Sequence, residues 1–541
     1  MAHSTVSLAL AAVGIFTLYL ISKVILKTWQ NATEARRLGC KPPAPFPSWC
    51  PFGLDIVRKL IISRRQMRTP EWLREQLAKT STPANPNNLT CSFQIVHTSG
   101  ILTADEVNVH AMLSKQFDDF EVGQTRREIA RPLVGESIFT TDGHAWKMLR
   151  GLVRPSFARH QVGDLELDEK HVKNMMACLE TGSDGWTGNI DLQTLMFRYS
   201  LDSSTEFLCG ASVGSQLKEL QLQNGKATDD EDEIDFASAL DRAMEGLATR
   251  GQFFECGPYI WPRGFEKACR DCHAFIDKYV ARRQNKTLAA AEKQPPAESP
   301  PAAKEKYIFL DALAESFPDP VELRHQILGV LFAGRDTTAS LISWVFYNLA
   351  RDPARCHKLR RVVLEHFGGP REEEEEDPGR AVTFESLKEC RYLQHVINET
   401  ARLCPVVPVN SRRARRNTTL PRGGGPDGQS KVFVKEGTLV YFAPYIMGRR
   451  KELWGEDAER FVPERWEGKR HGWEFIPFSG GPRICPGQQS ALTKTAYVIV
   501  RLLQRFDRIE SWDPEVDVKH DATATMCSGT GVKVRLHADG F

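Results

Sequence analysis

The chain has 541 residues, 41% apolar and 26% charged, an ordinary globular mix with enough apolar material for a large core. Its formal charge of +2 gives no electrostatic case for a nucleic-acid partner or a strongly acidic one. The 13 cysteines are odd in number and scattered, which fits a reduced intracellular protein rather than a disulfide scaffold.

Thr5 to Ser22 carry no charge, and Lys23 is followed by Val24, Ile25 and Leu26. About 20 apolar residues cross a bilayer as a helix. The run exceeds the ~7–15 residues of a signal-peptide core, no Lys or Arg precedes it, and no small-x-small site ends it. Lys23, Lys27, Arg36, Arg37 and Lys41 follow, and the positive-inside rule then keeps the body cytosolic. Residues 1–27 are therefore expected to be a single-pass anchor, with its span at about 5–26. Residues 28–53, which include the proline-rich Gly39–Gly53, should form a semi-rigid hinge. Residues 54–541 should form one domain.

Within the body, Ala268–Phe275 (ACRDCHAF) contains the C-x-x-C-H spacing of covalent c-type heme attachment. It lies in a charged helical stretch of a chain expected to be cytosolic, so Cys269 and Cys272 read as packing residues. Two segments, about 284–306 and 370–380, are Ala/Pro/Glu/Lys-rich or acidic and should be mobile insertions. Asn88, Asn285, Asn398 and Asn417 head glycosylation patterns, and a cytosolic body leaves all four unmodified.

The clearest helix runs from Pro320 to Arg351, with Asp319 as cap and Pro320 at the first helical position. Ile327–Ala333 and Leu341–Ala350 are apolar on nearly all sides, which means burial. Between them lies Gly334–Ser340 (GRDTTAS), whose carboxylate and hydroxyls are costly in a core unless satisfied or used. Either a polar helix–helix contact or a pocket-facing dent with an acid and a hydroxyl placed for proton delivery explains it. Strand-like runs are few, Lys431–Val434 and Thr438–Phe442 among them, flanking the turn Lys435-Glu436-Gly437. The fold class expected is mainly α with small β-sheets.

In Phe478–Gly487 (FSGGPRICPG), glycines allow close backbone approach to something flat or bulky, and a helix follows at once. A helix N-terminus and Arg483 two residues away favour an ionised, metal-ligating Cys485 over a buried thiol.

These residues resemble the cytochrome P450 family. Phe478, Gly481, Arg483, Cys485 and Gly487 match its F-x-x-G-x-R-x-C-x-G signature. Ala333–Thr338 matches its oxygen-activation helix, Glu399 and Arg402 its E-x-x-R helix, Pro463–Trp466 its later arginine motif, and Trp146 and Arg150 its W-x-x-x-R helix. Phe139–Arg159, Lys306–Glu315, Asn417–Gly425 and Gly448–Trp466 resemble the fungal branch that hydroxylates alkanes and fatty acids at chain ends. Two departures stand in the loop: Ser479-Gly480-Gly481 replaces that branch's usual N-A-G, and Pro486 stands where it has an aliphatic residue.

The resemblance implies the cytochrome P450 fold and a heme b held by Cys485 as axial thiolate. It implies proton delivery by Asp336 and Thr337, and propionate contacts from Trp146, Arg150, Arg483 and, unless it is a solvent-facing strand residue, Arg412. Phe478 belongs to the same cofactor loop. Glu399, Arg402 and Arg465 are implied to form a structural charge cluster. Leu331, Phe332, Val406 and Val407 are substrate-contact candidates that could equally be core. Implied partners are O2, NADPH–cytochrome P450 reductase, membrane lipid and an apolar small-molecule substrate, with the body on the cytosolic face of the endoplasmic reticulum. A secondary-metabolite tailoring oxidase and a heme-thiolate isomerase or dehydratase are the competing functions.

Overall fold

The computed structural model describes residues 2–538 except 97, 159–162, 224–234, 292–306, 370–380 and 516. Most of the first insertion and all of the second lie outside the described residues. What is described of the first, up to Ala291, continues the helix Phe265–Ala291.

Helices dominate, as the sequence pattern requires, and the longest is Pro320–Leu349. Asp319 caps it by accepting the Val321 N–H at 2.8 Å. It ends just short of Asp352-Pro353, where Asp352 caps the next helix, Pro353–Phe367. From Leu341 to Phe346 every residue is buried, because helices Leu192–Cys209, Phe265–Ala291 and Gln488–Arg505 pack around the long helix. Cys269 and Cys272 point into this packing at 4% and 0% exposure, and burial pushes the Cys269 thiol up to about 12. The C-x-x-C-H spacing is therefore a helix face turned inward.

The largest sheet has six strands in the order Ala44–Pro45, Thr90–Ile95, Thr98–Thr103, Leu439–Phe442, Asn410–Ala414, Phe120–Glu121. The two strand runs flanking Lys435–Gly437 do not pair with each other. Ser430–Val434 pairs with Thr418–Gly424, whereas Leu439–Phe442 lies between Thr98–Thr103 and Asn410–Ala414. The turn carries the chain from one sheet to another, with Gly437 in the left-handed region (φ 84°) and its N–H on Ala414 O at 2.7 Å.

The N-terminal helix runs unbroken from Ala2 to Arg37, so residues 28–37, expected in the hinge, are helical. Its stretch Leu10–Arg37 is long and apolar enough to cross a membrane and is not buried against the body. The proline-rich segment after it is stapled rather than loose. Lys41 N–H bonds Lys431 O at 2.8 Å, and Ala44 and Pro45 pair in parallel with Cys91 and Ser92. Proline's missing donor costs little here, because this strand is a sheet edge.

Behind the long helix, Glu399 is fully buried. Its carboxylate accepts Arg402 Nε and Nη2 (both 2.8 Å), Arg465 Nε (2.9 Å), Trp466 Nε1 (3.0 Å) and Val462 N–H (2.8 Å). Arg402 in turn donates to Gly448 O, Ala458 O and Arg460 O. Helix Arg391–Leu403 is thereby tied to the irregular stretch 448–466. Removing one partner of a buried pair leaves an uncompensated charge. Glu399→Ala is expected to lower unfolding free energy by about 3–5 kcal/mol in equilibrium urea denaturation. A loss under about 1 kcal/mol would instead assign the pair the modest worth of an exposed one.

Candidate active site

The loop around Cys485 is built by backbone bonds. Cys485 N–H donates to Phe478 O at 3.0 Å and Ile484 N–H to Gly481 O at 3.0 Å, which closes the loop; helix Gln488–Arg505 then begins at Gly487. Phe478 thus takes part through its carbonyl. Two glycines serve protein packing. A Cβ on Gly480 would meet the Trp473 ring at 2.5 Å, and one on Gly481 (φ 66°) would meet Leu113 O at 1.9 Å. The flat group approached at Gly480 is therefore an indole, and Trp473 accounts for glycine where the resembling branch has alanine. Ser479 itself is left-handed (φ 63°), a conformation that asparagine tolerates better than serine.

Cys485 opens to solvent on one side, yet the protein around it desolvates the thiol and pushes its pKa up. The Gly487 N–H and the Arg150 charge pull it back down. A ligated metal would deprotonate the thiol outright. Pro486 has no N–H to offer, so this position gives the sulfur no donor and the amide facing it is that of Gly487.

Beside the loop, guanidiniums crowd. Arg483 lies 4.3 Å and Arg150 5.8 Å from the Trp146 ring centre, on the helix Gly143–Val153 that carries Trp146. Trp146 is 5% exposed. Arg150 Nη2 donates to Ile484 O at 2.7 Å, so it braces the cysteine loop directly. Arg412 is 6% exposed, which overturns the solvent-facing reading of that strand position; Nη1 bonds only its neighbour's carbonyl, Ser411 O, at 2.8 Å. Burial, then Arg126 and Arg483, depress its pKa to about 9, and burial likewise lowers Arg483 to about 10. An arginine holds its proton far above such values, so these shifts measure electrostatic stress rather than titration. Asp142 is the main relief: it accepts Arg483 Nη2 at 2.6 Å and the N–H groups of Val122 (2.9 Å) and Gly123 (3.1 Å). Half-buried Glu121 has its carboxyl pushed up by burial and then by Asp142, and pulled back by Arg415, Arg413 and Arg483. Arg126, Arg150, Arg412 and Arg483 thus carry at least two more positive charges than Asp142 and Glu121 supply negative.

In the long helix, Thr337 Oγ1 donates to Ala333 O at 2.6 Å. Ser200 from the packed helix donates to Arg335 O at 2.7 Å. Asp336 is 7% exposed; burial pushes its carboxyl up and Arg335, at 3.1 Å, pulls it back. Arg335 also binds Asp241, whose side chain is mostly exposed, so an ionic chain runs from the surface to Asp336. Thr338 is buried at 6% and Thr337 is partly exposed. Of the substrate-contact candidates, Leu331 is enclosed in the core at 0% exposure, which favours its core reading. Phe332 is partly buried against Phe139, ring centres 5.8 Å apart, and Val406 and Val407 are half-buried.

Arg126, Asp142, Arg335 and Asp241 were not singled out from the sequence. Asp142, directly before the Trp146 helix, had a cap-like signal. Arg335 and Asp336 are adjacent, a spacing that ordinarily points side chains apart on a helix.

A profile of the Cytochrome P450 family matches residues 90–526. The chain belongs to this family. It is 42% identical to cytochrome P450 monooxygenase g430 of Fusarium sp, over 96% of this chain and 88% of that one. It is 40% identical to cytochrome P450 monooxygenase alt2 of Alternaria solani, over 96% and 95%, and 39% identical to cytochrome P450 52A5 of Candida maltosa, over 93% and 92%. The protein is a cytochrome P450 monooxygenase, and its family implies a heme-thiolate cofactor, O2, a redox partner and a hydrophobic substrate.

The residues present fit such a cofactor. A macrocycle with two carboxylates neutralises the excess charge of the arginine cluster, and a desolvated thiol beside it supplies a soft donor. This gives Arg412 opposite effects in two states. Arg412→Gln is expected to leave the unfolding midpoint of the cofactor-free protein unchanged or raised. Heme loss to a scavenging apoprotein should speed up about 10–100-fold, the worth of one charged hydrogen bond. A lowered midpoint with unchanged heme loss would reduce Arg412 to a packing residue.

Proposed function

We propose that this cytochrome P450 is an N-terminally anchored monooxygenase of the endoplasmic reticulum, cytosolic in its body, that hydroxylates a long-chain aliphatic substrate, a fatty acid or alkane. Cys485 would supply the thiolate that holds the cofactor, heme b, and electrons would come from NADPH through cytochrome P450 reductase. The observation that carries the reading is the buried cationic cluster beside a desolvated cysteine at a helix N-terminus. The substrate class rests on the resemblance to the fungal alkane and fatty-acid hydroxylases.

Heme ligated by thiolate supplies the electron-transfer and dioxygen chemistry. The chain's own residues do the rest. Trp146, Arg150, Arg412 and Arg483 would hold the cofactor's carboxylates, with Arg126 adding to their field. Thr337 presents a hydroxyl already oriented by Ala333 O. Asp336, its carboxyl pushed up by burial, passes protons toward that hydroxyl, while Arg335, itself held by Asp241, fixes the position of the carboxyl. Phe332, Val406 and Val407 line an apolar approach that keeps bulk water away. Thr338, buried, packs.

A second reading changes the substrate only: a tailoring oxidase of secondary metabolism, favoured by the Ser479-Gly480 and Pro486 departures. A binding-spectrum screen over fatty acids, alkanes and host metabolites separates the two. An isomerase or dehydratase would turn over without NADPH and reductase.

The reduced, CO-bound protein is expected to show a strongly red-shifted Soret band, and Cys485→Ser to abolish it. A band that survives the substitution would move the ligand elsewhere. With the band intact, Thr337→Ala should cut product formed per NADPH consumed several-fold; an unchanged ratio would remove Thr337 from proton delivery.

A further inference from the structure

A cavity of about 610 Å³ lies at the junction between the N-terminal helix and the six-stranded sheet. Asn31, Ala32 and Ala35 of the helix form one wall. Phe46, Phe52, Ile56, Phe93, Ile101 and Phe433 make the rest mainly apolar. None of the residues assigned above to heme, proton delivery or substrate lines it. A second, polar cavity of about 370 Å³ adjoins it and shares Ser99 and Lys435.

The charges at this shared wall are uneven. Glu436 pairs with Lys27 at 3.3 Å, and Glu255 pairs with Arg413. Lys435, exposed at the boundary, has no ion-pair partner among the described residues. Apolar groove and free cation therefore meet end to end.

Position supplies the occupant. Asn31 lies five residues beyond Leu26, about 8 Å further along the helix axis, which is headgroup depth for a span ending near Leu26. At the rim, Phe52 (φ 63°) and Val96 (φ 52°) both hold left-handed backbone, which is strained for such residues. They are joined by the Val96 N–H on Phe52 O at 2.7 Å, and both side chains are exposed, as is Trp49 at 74%. Strain that turns apolar side chains outward is favourable where the outside is lipid.

We propose that the two cavities form one binding site for a long-chain fatty acid drawn from the bilayer, its acyl chain along Phe46 and Phe93 and its carboxylate on Lys435. The site deepens the function above and rests on the reading of the N-terminal helix as an anchor. The apolar cavity's size suits a single acyl chain.

The test uses the full chain in phosphatidylcholine vesicles with a 16-carbon fatty acid bearing a terminal diazirine. Photolysis and peptide mass spectrometry should place the label on the segments around Phe46 and Phe93. Lys435→Glu should cut that label at least fivefold while leaving the CO-bound Soret band and the substrate-binding spectrum unchanged. Labelling confined to the N-terminal helix, equal labelling in Lys435→Glu, or labelling by a diazirine phospholipid but not by the fatty acid would each overturn the proposal. Labelling needs no turnover, so its outcome is independent of the catalytic reading, and flotation with the vesicles tests the anchor separately.

Discussion

The buried carboxylate of Glu399 is the interaction on which the rest of the molecule hangs. It receives five hydrogen bonds, two from Arg402 on its own helix and three from the stretch Val462–Trp466. The stretch between Gly448 and Trp466 has only short helical turns to define it, so it needs an external template. Helix Arg391–Leu403 provides one through Arg402, whose remaining donors bind three carbonyls of that stretch. The cysteine loop begins further along the chain, at Phe478. An ion pair in the core is weak evidence for stability, since apolar replacements often do as well. Here its value is directional: it holds carbonyls that no packing of apolar side chains would orient.

A second constraint runs the other way. The region beside Cys485 collects guanidiniums faster than it collects acids, and the imbalance shows at buried Arg412, where Asp142 offsets only part of the cost set by burial, Arg126 and Arg483. A structure selected for stability alone would not keep it. A dianion in that space would relieve the stress, and part of the free energy of cofactor binding would then be stored beforehand as repulsion among residues of the protein. Asp142 sets the balance. It fixes Arg483 and the backbone of Val122 and Gly123, yet it is too small a charge to satisfy the cluster.

Much of this was legible in the sequence because the decisive residues lie in short contiguous patterns. The cap and limits of the long helix and the Glu399–Arg402 pairing at spacing three follow from local pattern, whereas the burial of that pair was implied by the family resemblance and the packing role of Cys269 and Cys272 by the helical, cytosolic context of their stretch. What was not legible depends on residues far apart in the chain. The strand runs on either side of Lys435–Gly437 look like a hairpin, but long-range partners claim each of them. Arg126 joins the cation cluster with no local signal. Arg335 reaches Asp336 although neighbours on a helix usually diverge, because Asp241 from another helix pulls the guanidinium into line. Leu331 lies within three residues of the polar dent, yet its side chain enters the core instead. Helical phase at that point cannot be read without knowing what packs on each face.

The proline-rich segment shows how composition misleads about freedom. Prolines stiffen a linker but do not decide whether it is docked. Here Ala44 and Pro45 extend a sheet, and Lys41 bonds a strand of another. The helix before them continues to Arg37, and its last turns contact the body through Asn31 and Glu34 on Asn417 and through Lys27 on Glu436. A body hung on a free hinge could present any face to a membrane. One stapled at a helix end, a sheet edge and a turn would, with that helix as its anchor, present one fixed face, and Trp49, Phe52 and Val96 are exposed near the staple. Orientation then follows from backbone pairing rather than from the strength of any lipid contact. An apolar substrate dissolved in the bilayer would meet the protein always from the same side.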